Sequence, residues 1–333
     1  MHGGPGPAYS GGGGGGYSGP PPTVGGMFGG GGGGGGPRFG SGGLRSACRE
    51  VADSPACRRL LQLALGAAAV GIGVKLYTQY RRRQRRAQWA QQGKDVVVLH
   101  TYPRGTTVPN ISPFALKIET YCRMAGIAYV IDTEEPMGGK LMSPWITING
   151  EEINDSELIL DYLEKHFNKP VAATEKLTPA QRAVGRITQV MLDEHTMGLI
   201  AMKRYVIDNM EYMATILPAQ LKKMVIIYKL FFSGVIKKRM WLKGVGRFTE
   251  PEVLFFLYRD LQALADTLGK QPYLLGNEPT TYDAAAFSLL AQALCATAPE
   301  VEVQVRQKHD NLCQYFDRMK SKFWSDWDQV LAQ

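Results

Sequence analysis

The sequence predicts a mixed α/β unit followed by an all-α domain, with a long non-globular region ahead of both. Short β-branched runs alternate with amphipathic helical patterns between residues 94 and 168, and only long helical patterns occupy 177–328. The first 43 residues hold 23 of the 39 glycines and six of the 19 prolines, a composition that buries too little apolar surface to offset its ordering entropy. We predict a disordered tail over 1–43 and a linker over 169–176 between the two folded domains.

The net charge of +8 is concentrated in one part of the chain. Residues 38–94 contain 12 Lys and Arg and two acidic residues, a local charge of +10, which leaves −2 for residues 95–333. The globular part therefore lacks the basic character of a nucleic-acid-binding domain, and no nucleic-acid partner is expected. The five cysteines are widely separated and none has a His at metal-ligand spacing, so no metal site is expected.

Residues 44–93 contain an apolar stretch followed by a basic run. Fifteen uncharged residues, LLQLALGAAAVGIGV, lie between Arg59 and Lys75, and the run RRRQRR occupies 81–86. A helix over 60–80 would be about 31 Å long, enough to cross the hydrocarbon core if the lysine extends toward the headgroups. We predict a single membrane span at 60–80.

The basic run predicts the orientation of that span. Arginines beside a span stay on the cytosolic side, which places the following domains in the cytosol. A soluble amphipathic helix or a cleaved apolar region is the alternative, although a signal peptide that starts near residue 60 would be unusual. A short span with basic flanks suits the plasma membrane and the mitochondrial outer membrane alike, so the sequence does not choose between them.

The α/β unit begins with DVVVLH at 95–100, a pattern typical of a buried strand, and a loop rich in Pro and Thr follows it. Ser112 can cap a helix and Pro113 suits the first helical position, so a helix is predicted from there to Gly126. AYVID at 128–132 is predicted as the second strand.

A hairpin and a helix complete the α/β unit. WITI at 145–148 and the segment 151–153 are predicted strands, joined by an Asn-Gly dipeptide at 149–150 that favours a type I′ turn. Asn154 and Glu157 have capping-box spacing ahead of the next helical pattern. The order strand, helix, strand, hairpin, helix matches a thioredoxin-like domain.

Two groups of polar residues lie within the predicted helices of the second domain. Thr280 and Asp283 have capping-box spacing at the start of a strongly apolar helix, and a structural role is expected for them. Asp193, Glu194 and His195 adjoin one another inside a helical pattern that has no H-E-x-x-H motif. A buried or interface role is expected for these three residues.

The α/β unit resembles a known family. The run from Tyr102 to Phe167, and GGKLMSPWI within it, resembles the N-terminal domain of the failed axon connections family, whose relatives are the glutathione transferases and the metaxins. PTTYDAAAF further along resembles a helix start found throughout the transferase fold. The resemblance implies a glutathione S-transferase-like fold, a cis peptide bond before Pro144 and a role in axonal development.

The resemblance also implies where glutathione would bind. Transferases aim a hydroxyl and a helix N-terminus at the glutathione thiolate, and Ser112 stands at that position. Ser143 and Pro144 match the segment that pairs with the glutathione backbone. Asp155 and Ser156 match the acid-hydroxyl pair that holds its γ-glutamyl end.

Each of these residues has a structural explanation too. Ser112 is a good N-cap without any catalytic role, and Asp155 and Ser156 stand in the first turn of a helix, where acids and hydroxyls are common. Tyr102 is the alternative hydroxyl donor, although a tyrosine at a strand end commonly packs. The residues between the second and third strands leave no room for the helix that helps to close the glutathione site in transferases, which counts against a complete cofactor pocket.

The sequence therefore favours a membrane-anchored, non-catalytic interaction protein with a glutathione S-transferase-like fold. The alternatives are a glutathione-dependent transferase that uses Ser112 and a metaxin-like subunit of the mitochondrial outer membrane. No resident cofactor is expected, and glutathione is the ligand to test. The sequence leaves protein partners and homodimer formation open.

Overall fold

The computed structural model describes residues 54–168 and 171–332. The predicted tail at 1–43 and the first two positions of the predicted linker, 169 and 170, lie outside those ranges. The chain divides into two compact units, the first ending at Lys75 and the second starting at Leu76.

Four short strands precede a long series of helices. The strands are β1 (Val97–His100), β2 (Tyr129–Asp132), β3 (Trp145–Ile148) and β4 (Glu151–Asn154). The helices that precede or flank them are α1 (Pro55–Ala90), α2 (Pro113–Ala125) and α3 (Ser156–Phe167). The helices that follow are α4 (Ala172–Glu175), α5 (Pro179–Val190), α6 (Met197–Met202), α7 (Glu211–Ile216), α8 (Ala219–Ile227), α9 (Ser233–Lys243), α10 (Glu250–Leu268), α11 (Thr281–Cys295), α12 (Pro299–Lys308), α13 (Asp310–Phe323) and α14 (Trp327–Val330). π-Helical turns occur at Met191–Thr196, Lys203–Ile207 and Tyr228–Phe232, and a 3₁₀ turn at Val245–Arg247.

The four strands form one sheet in the order β2-β1-β3-β4. β1 runs parallel to β2, with Val98 opposite Val130, and antiparallel to β3, with Leu99 opposite Ile146. β4 pairs antiparallel with β3 through the predicted hairpin. This topology confirms the thioredoxin-like prediction for the α/β unit.

The two faces of the sheet are covered in different ways. α2 and α3 cover one face, where Leu99, Ile118 and Ile146 are buried in a shared core. On the other face, Trp89 near the end of α1 packs against Trp145, with ring centroids 5.6 Å apart. The last turns of α1 therefore belong to the folded domain, because their aromatic side chain completes the cover of its sheet.

The chain between β2 and β3 contains no helix, as predicted. α1 instead contacts this side of the domain through arginines of the basic run. Arg85 Nη2 lies 2.8 Å from Glu135 Oε1, and Arg86 Nη2 lies 2.5 Å from Glu152 Oε1. Part of the run that predicted the orientation of a membrane span thus also binds carboxylates of the α/β unit.

Local signals set the start of α2 as the sequence predicts. Ser112 Oγ accepts a hydrogen bond from the Ala115 N–H at 3.4 Å, and Pro113 occupies the first turn. Gly126, with φ of +65°, ends the helix in the left-handed conformation that glycine adopts without a steric penalty.

The helical domain is built around α11, which is buried along nearly its whole length and packs on α2. The predicted capping box at its start is present, because Asp283 Oδ2 accepts the Thr280 N–H at 2.7 Å and the threonine hydroxyl at 2.9 Å. Asp283 Oδ1 also accepts the Leu274 N–H and the Tyr315 hydroxyl, at 2.8 and 3.0 Å. This carboxylate therefore joins three segments of the helical domain.

Candidate functional site

Two neighbouring cavities lie between the α/β unit and the helical domain. The first, which we call the polar cavity, has a volume of about 360 Å³. The second, which we call the apolar cavity, has a volume of about 410 Å³. Five side chains line both, namely Tyr102, Phe114, Met197, Tyr205 and Ile236. Both volumes are in the range of small-molecule sites, so these cavities are the candidate functional site.

The structure brings four of the predicted site residues together. Ser143, Pro144, Asp155 and Ser156 all line the polar cavity. The Ser143-Pro144 peptide bond is cis, as the resemblance implies. Ser112 is separated from them, since it lines the apolar cavity with aromatic and aliphatic side chains.

Asp155 holds its position by capping α3. Its Oδ1 accepts the N–H groups of Glu157 and Leu158 at 2.9 and 3.3 Å. The predicted capping box that starts at Asn154 is wrong, because Asn154 is the last residue of β4 and Asp155 is the residue next to the free N–H groups. Asp155 has a φ of +84°, a backbone conformation that is uncommon for a residue with a Cβ and that is often found at functional sites.

The polar cavity contains a buried hydroxyl without a protein partner. Among the described residues, Ser143 Oγ is buried and accepts or donates no hydrogen bond. A buried polar atom of this kind costs free energy unless a ligand or water pairs with it. Ser143 is therefore a position where a ligand's polar group would relieve an existing penalty.

The two candidate hydroxyls for thiol activation differ in their surroundings. Ser112 Oγ already accepts the N-cap hydrogen bond of α2. The Tyr102 side chain lines both cavities. Burial and the nearby Tyr205 raise the pKa of the Tyr102 hydroxyl above its usual value. A tyrosine with a raised pKa remains protonated at neutral pH and acts as a hydrogen-bond donor.

A buried ion-pair cluster lies beside the polar cavity, and sequence reasoning missed it. Lys117 of α2 is fully buried, with Nζ 2.8 Å from Glu157 Oε1 and 2.7 Å from Asp193 Oδ2. Arg186 and Gln189 also donate to the Glu157 carboxylate. The sequence does contain one sign of this cluster, because Lys117 interrupts the otherwise apolar run from Phe114 to Ile118. It does not show which carboxylates approach the lysine.

The two carboxyl groups of this cluster respond differently to burial. Burial raises the pKa of Glu157, but Lys117 and Arg186 outweigh it and hold the pKa below the usual range. For Asp193, burial is the larger effect and raises the pKa in spite of Lys117. Glu157 has two cationic partners, whereas Asp193 has one, and the negative charges of Glu157 and Glu194 raise the pKa of Asp193 further.

Only part of the expectation for residues 193–195 is met. Asp193 has the interface role that was expected, through Lys117. Glu194 is 72% exposed and lies 3.3 Å from Lys243, so a buried role for it is wrong. His195 is half-exposed, with Nδ1 2.7 Å from Asp260 Oδ2 on α10.

Cationic side chains face the polar cavity from the helical domain. Arg239 and Lys243 of α9 line it, and so do the carboxylates of Asp155, Glu157, Asp193 and Glu194. The cavity therefore presents both carboxylates and cations, which suits a zwitterionic ligand. Within residues 54–168 and 171–332, no group of three His, Cys, Asp or Glu is placed to hold a metal ion.

Comparisons with known proteins agree with this architecture. A family model for the glutathione S-transferase N-terminal domain matches residues 113–210, and one for the C-terminal domain matches residues 257–319. The chain is 30% identical over 259 residues to Failed axon connections from Drosophila melanogaster, which covers 72% of this chain and 61% of that protein. It is 25% identical over 241 residues to isoprene-epoxide–glutathione S-transferase from Rhodococcus sp. (strain AD45), covering 68% and 99%. It is also 25% identical over 213 residues to a Metaxin-1 homolog from Caenorhabditis briggsae, covering 62% and 67%.

The fold and the matched domains define a glutathione S-transferase-like protein, with a thioredoxin-like domain followed by a helical domain. Within that class, the chain is similar in sequence to Failed axon connections and to metaxins. It spans less than two thirds of the length of its Drosophila relative.

Proposed function

We propose that this chain is a membrane-anchored interaction protein that uses a glutathione S-transferase fold without enzymatic turnover. The observation that carries the proposal is the apolar surface of α1. From Leu60 to Val74 its large apolar side chains are 57–70% exposed, and the helix is long and apolar enough to cross a membrane. A helix of 36 residues is about 54 Å long, more than a bilayer core requires.

The absence of turnover is proposed from the separation of the site residues. Ser112, the residue at the thiol-activating position, caps α2 and lines the apolar cavity, whereas the other four predicted residues line the polar cavity. The similarity to failed axon connections supports a role in axonal development, with the helical and thioredoxin-like domains on the cytosolic side. Imaging of the full chain in cells would distinguish the plasma membrane from the mitochondrial outer membrane.

Alkaline carbonate extraction of the full chain from cell membranes tests the anchor. The chain should stay in the membrane pellet, and arginines at Leu63 and Val70 should release it, since each arginine near the centre of a span costs about 2.5–3.5 kcal/mol. The matched control is Ile187→Arg, which places the same charge on an exposed apolar position of α5. Extraction of the unaltered chain by carbonate would refute the anchor.

Glutathione binding is the second candidate function, and the polar cavity favours it. Four residues implied by resemblance line it, one of them with an unpaired hydroxyl, and two cations line it as well. The Rhodococcus relative, which is a glutathione S-transferase by name, is aligned over 99% of its length. Glutathione carries an ammonium and two carboxylates, which matches the mixed charges of this cavity.

Calorimetric titration of glutathione into the full chain in lipid nanodiscs tests this second function. Binding would lie in the micromolar to low-millimolar range, roughly −8 to −4 kcal/mol. Asp155→Asn keeps a capping side chain and tolerates positive φ but loses the charge, so it should weaken binding by about ten-fold or more. Asp161→Asn, on the exposed side of α3, is the control. No heat at glutathione concentrations several times the upper end of that range would exclude a glutathione site.

A further inference from the structure

One segment of the helical domain combines exposed apolar side chains with unpaired positive charge. It comprises α8, the π-helical turn at Tyr228–Phe232 and α9, and we call it the basic apolar segment, residues 219–243. It contains seven Lys and Arg, and no Asp or Glu occurs between Glu211 and Glu250. Arg239 and Lys243 line the polar cavity, but the other five cations line neither cavity.

The apolar side chains of the segment are concentrated on its surface. Among the described residues beyond Tyr80, 17 large apolar side chains are exposed, and eight of these lie between Ile226 and Leu242. Leu230 and Phe231 are each 71% exposed. Clusters of exposed apolar side chains of this kind mark surfaces that bind a partner or a membrane.

Five of the six lysines of the segment have no carboxylate partner among the described residues. Lys243 pairs with Glu194, at 3.3 Å. The other five lysines have no ion-pair partner anywhere in the part of the chain that the structure describes, namely Lys222, Lys223, Lys229, Lys237 and Lys238. Their charge is therefore available to an external anionic surface.

The opposite side of the segment is fixed to the helical domain. Val225 and Met240 are buried, and the Tyr228 hydroxyl donates to the Tyr205 carbonyl oxygen at 2.8 Å. Ile236 lines both cavities. The exposed side chains are thus presented by a helix that the fold holds in place.

We propose that the basic apolar segment binds the surface of an anionic phospholipid bilayer, with its exposed apolar side chains in the headgroup region. Two observations select this occupant. Lysines interspersed with Phe, Leu and Trp are typical of helices that lie in the membrane interface, and the half-exposed Trp241 suits that region. The uncompensated charge matches anionic headgroups, which attract each nearby lysine by about a five-fold gain in partition.

The charge also argues against a second copy of the chain as the occupant. Two identical segments placed face to face would bring lysines of like charge together without acidic residues to separate them. An anionic bilayer neutralises the same charges. The proposal does not depend on residues 60–80 crossing a membrane, because the segment contacts lipid through its own side chains.

Site-specific photocrosslinking of the full chain tests the proposal. The photoreactive amino acid p-benzoylphenylalanine replaces Phe231 in one variant and Phe255, an exposed aromatic on α10, in a matched control. A third variant carries it at Tyr77, within the proposed span. Each protein is illuminated with vesicles of phosphatidylcholine that contain about 30% phosphatidylserine or none, and lipid adducts are quantified by mass spectrometry.

The expected result is a phospholipid adduct at position 231 that exceeds the adduct at position 255 by about ten-fold. It should fall by about five-fold or more without phosphatidylserine, or when Lys237 and Lys238 are both replaced by Gln. Lipid adducts at 77 without any at 231 would overturn the proposal while leaving the anchor intact. Crosslinks at 231 between two protein chains, or equal labelling with and without phosphatidylserine, would also overturn it. Adducts at 231 without any at 77 would support the segment and count against the span.

Discussion

Removing the Asp283 carboxylate should destabilise the helical domain more than any single surface change. In the folded chain Asp283 is fully buried and accepts hydrogen bonds from the Thr280 and Leu274 N–H groups, the Thr280 hydroxyl and the Tyr315 hydroxyl. Asp283→Ala removes the carboxylate half of the capping box of α11, which costs about 1–2 kcal/mol. It also leaves the Leu274 N–H buried without an acceptor, at about 1–3 kcal/mol. The Tyr315 hydroxyl loses its bond to Oδ1, at about 1 kcal/mol, but keeps the Asp283 carbonyl oxygen, 3.1 Å away, as an acceptor.

One effect opposes this loss. Burial raises the pKa of Asp283 in spite of its donors, so the folded chain carries a desolvation penalty for this carboxylate that alanine lacks. With that offset we expect a net loss of about 3 kcal/mol in the free energy of unfolding. For a domain of about 150–250 residues this corresponds to a fall of about 6–12 °C in Tm.

Urea unfolding of the full chain, followed by near-ultraviolet circular dichroism, measures the loss. Tyr315→Phe is the control, because it removes one donor and should cost about 1 kcal/mol. Both changes remove the same hydrogen bond between the Tyr315 hydroxyl and Asp283 Oδ1, so together they should cost about 1 kcal/mol less than their sum. A loss below about 1 kcal/mol for Asp283→Ala, or strict additivity, would refute the assignment of this carboxylate as the junction of three segments.

Three further predictions concern other parts of the fold. Gly138→Ala should lower the free energy of unfolding by about 1–3 kcal/mol, because an added methyl would overlap with Trp145, whereas Gly139→Ala has open space and should be neutral in the same urea titration. Burial holds the pKa of His309 below 6.5, so the stability it contributes is present above pH 6.5 and is lost as the pH falls from there through the lowered pKa of the folded chain. Tm measured between about pH 7.5 and 5.5 should therefore decline less steeply in His309→Gln. Lys117→Met should lower the free energy of unfolding by about 3–5 kcal/mol, since it leaves two carboxylates without their buried cation. The control, Lys165→Met at an exposed position of α3, should leave the free energy of unfolding nearly unchanged in the same measurement.

The parts of the fold that could be predicted depend on short-range rules. WITI forms β3 at the predicted positions, because β-branched residues and a turn-forming Asn-Gly dipeptide lie next to each other in the chain. The start of α2 follows from Ser112 and Pro113 for the same reason. The start of α3 was missed by one residue, since Asn154 and Asp155 are both good caps and only the end of β4 decides between them.

The parts that could not be predicted depend on contacts between distant residues. Trp89 follows a basic run that looks like a membrane flank, and nothing near it in the sequence shows that its ring covers the sheet beside Trp145. Lys117 likewise meets Glu157 and Asp193 from other helices. The three π-helical turns in the helical domain each add a residue to a turn, which shifts the helical period and weakens any assignment of faces from the sequence.

The basic apolar segment also forms part of the cavity wall, so its two roles must be tested with different residues. Phe231 is strongly exposed and lines neither cavity, whereas Met240 is buried and lines the polar one. A change at Phe231 therefore alters the outer surface while leaving the cavity wall in place, and a change at Met240 does the reverse. If loss of lipid contact followed only from the first change and loss of glutathione heat only from the second, the two surfaces would act independently. Loss of both from either change would mean that the segment couples the membrane surface to the cavity.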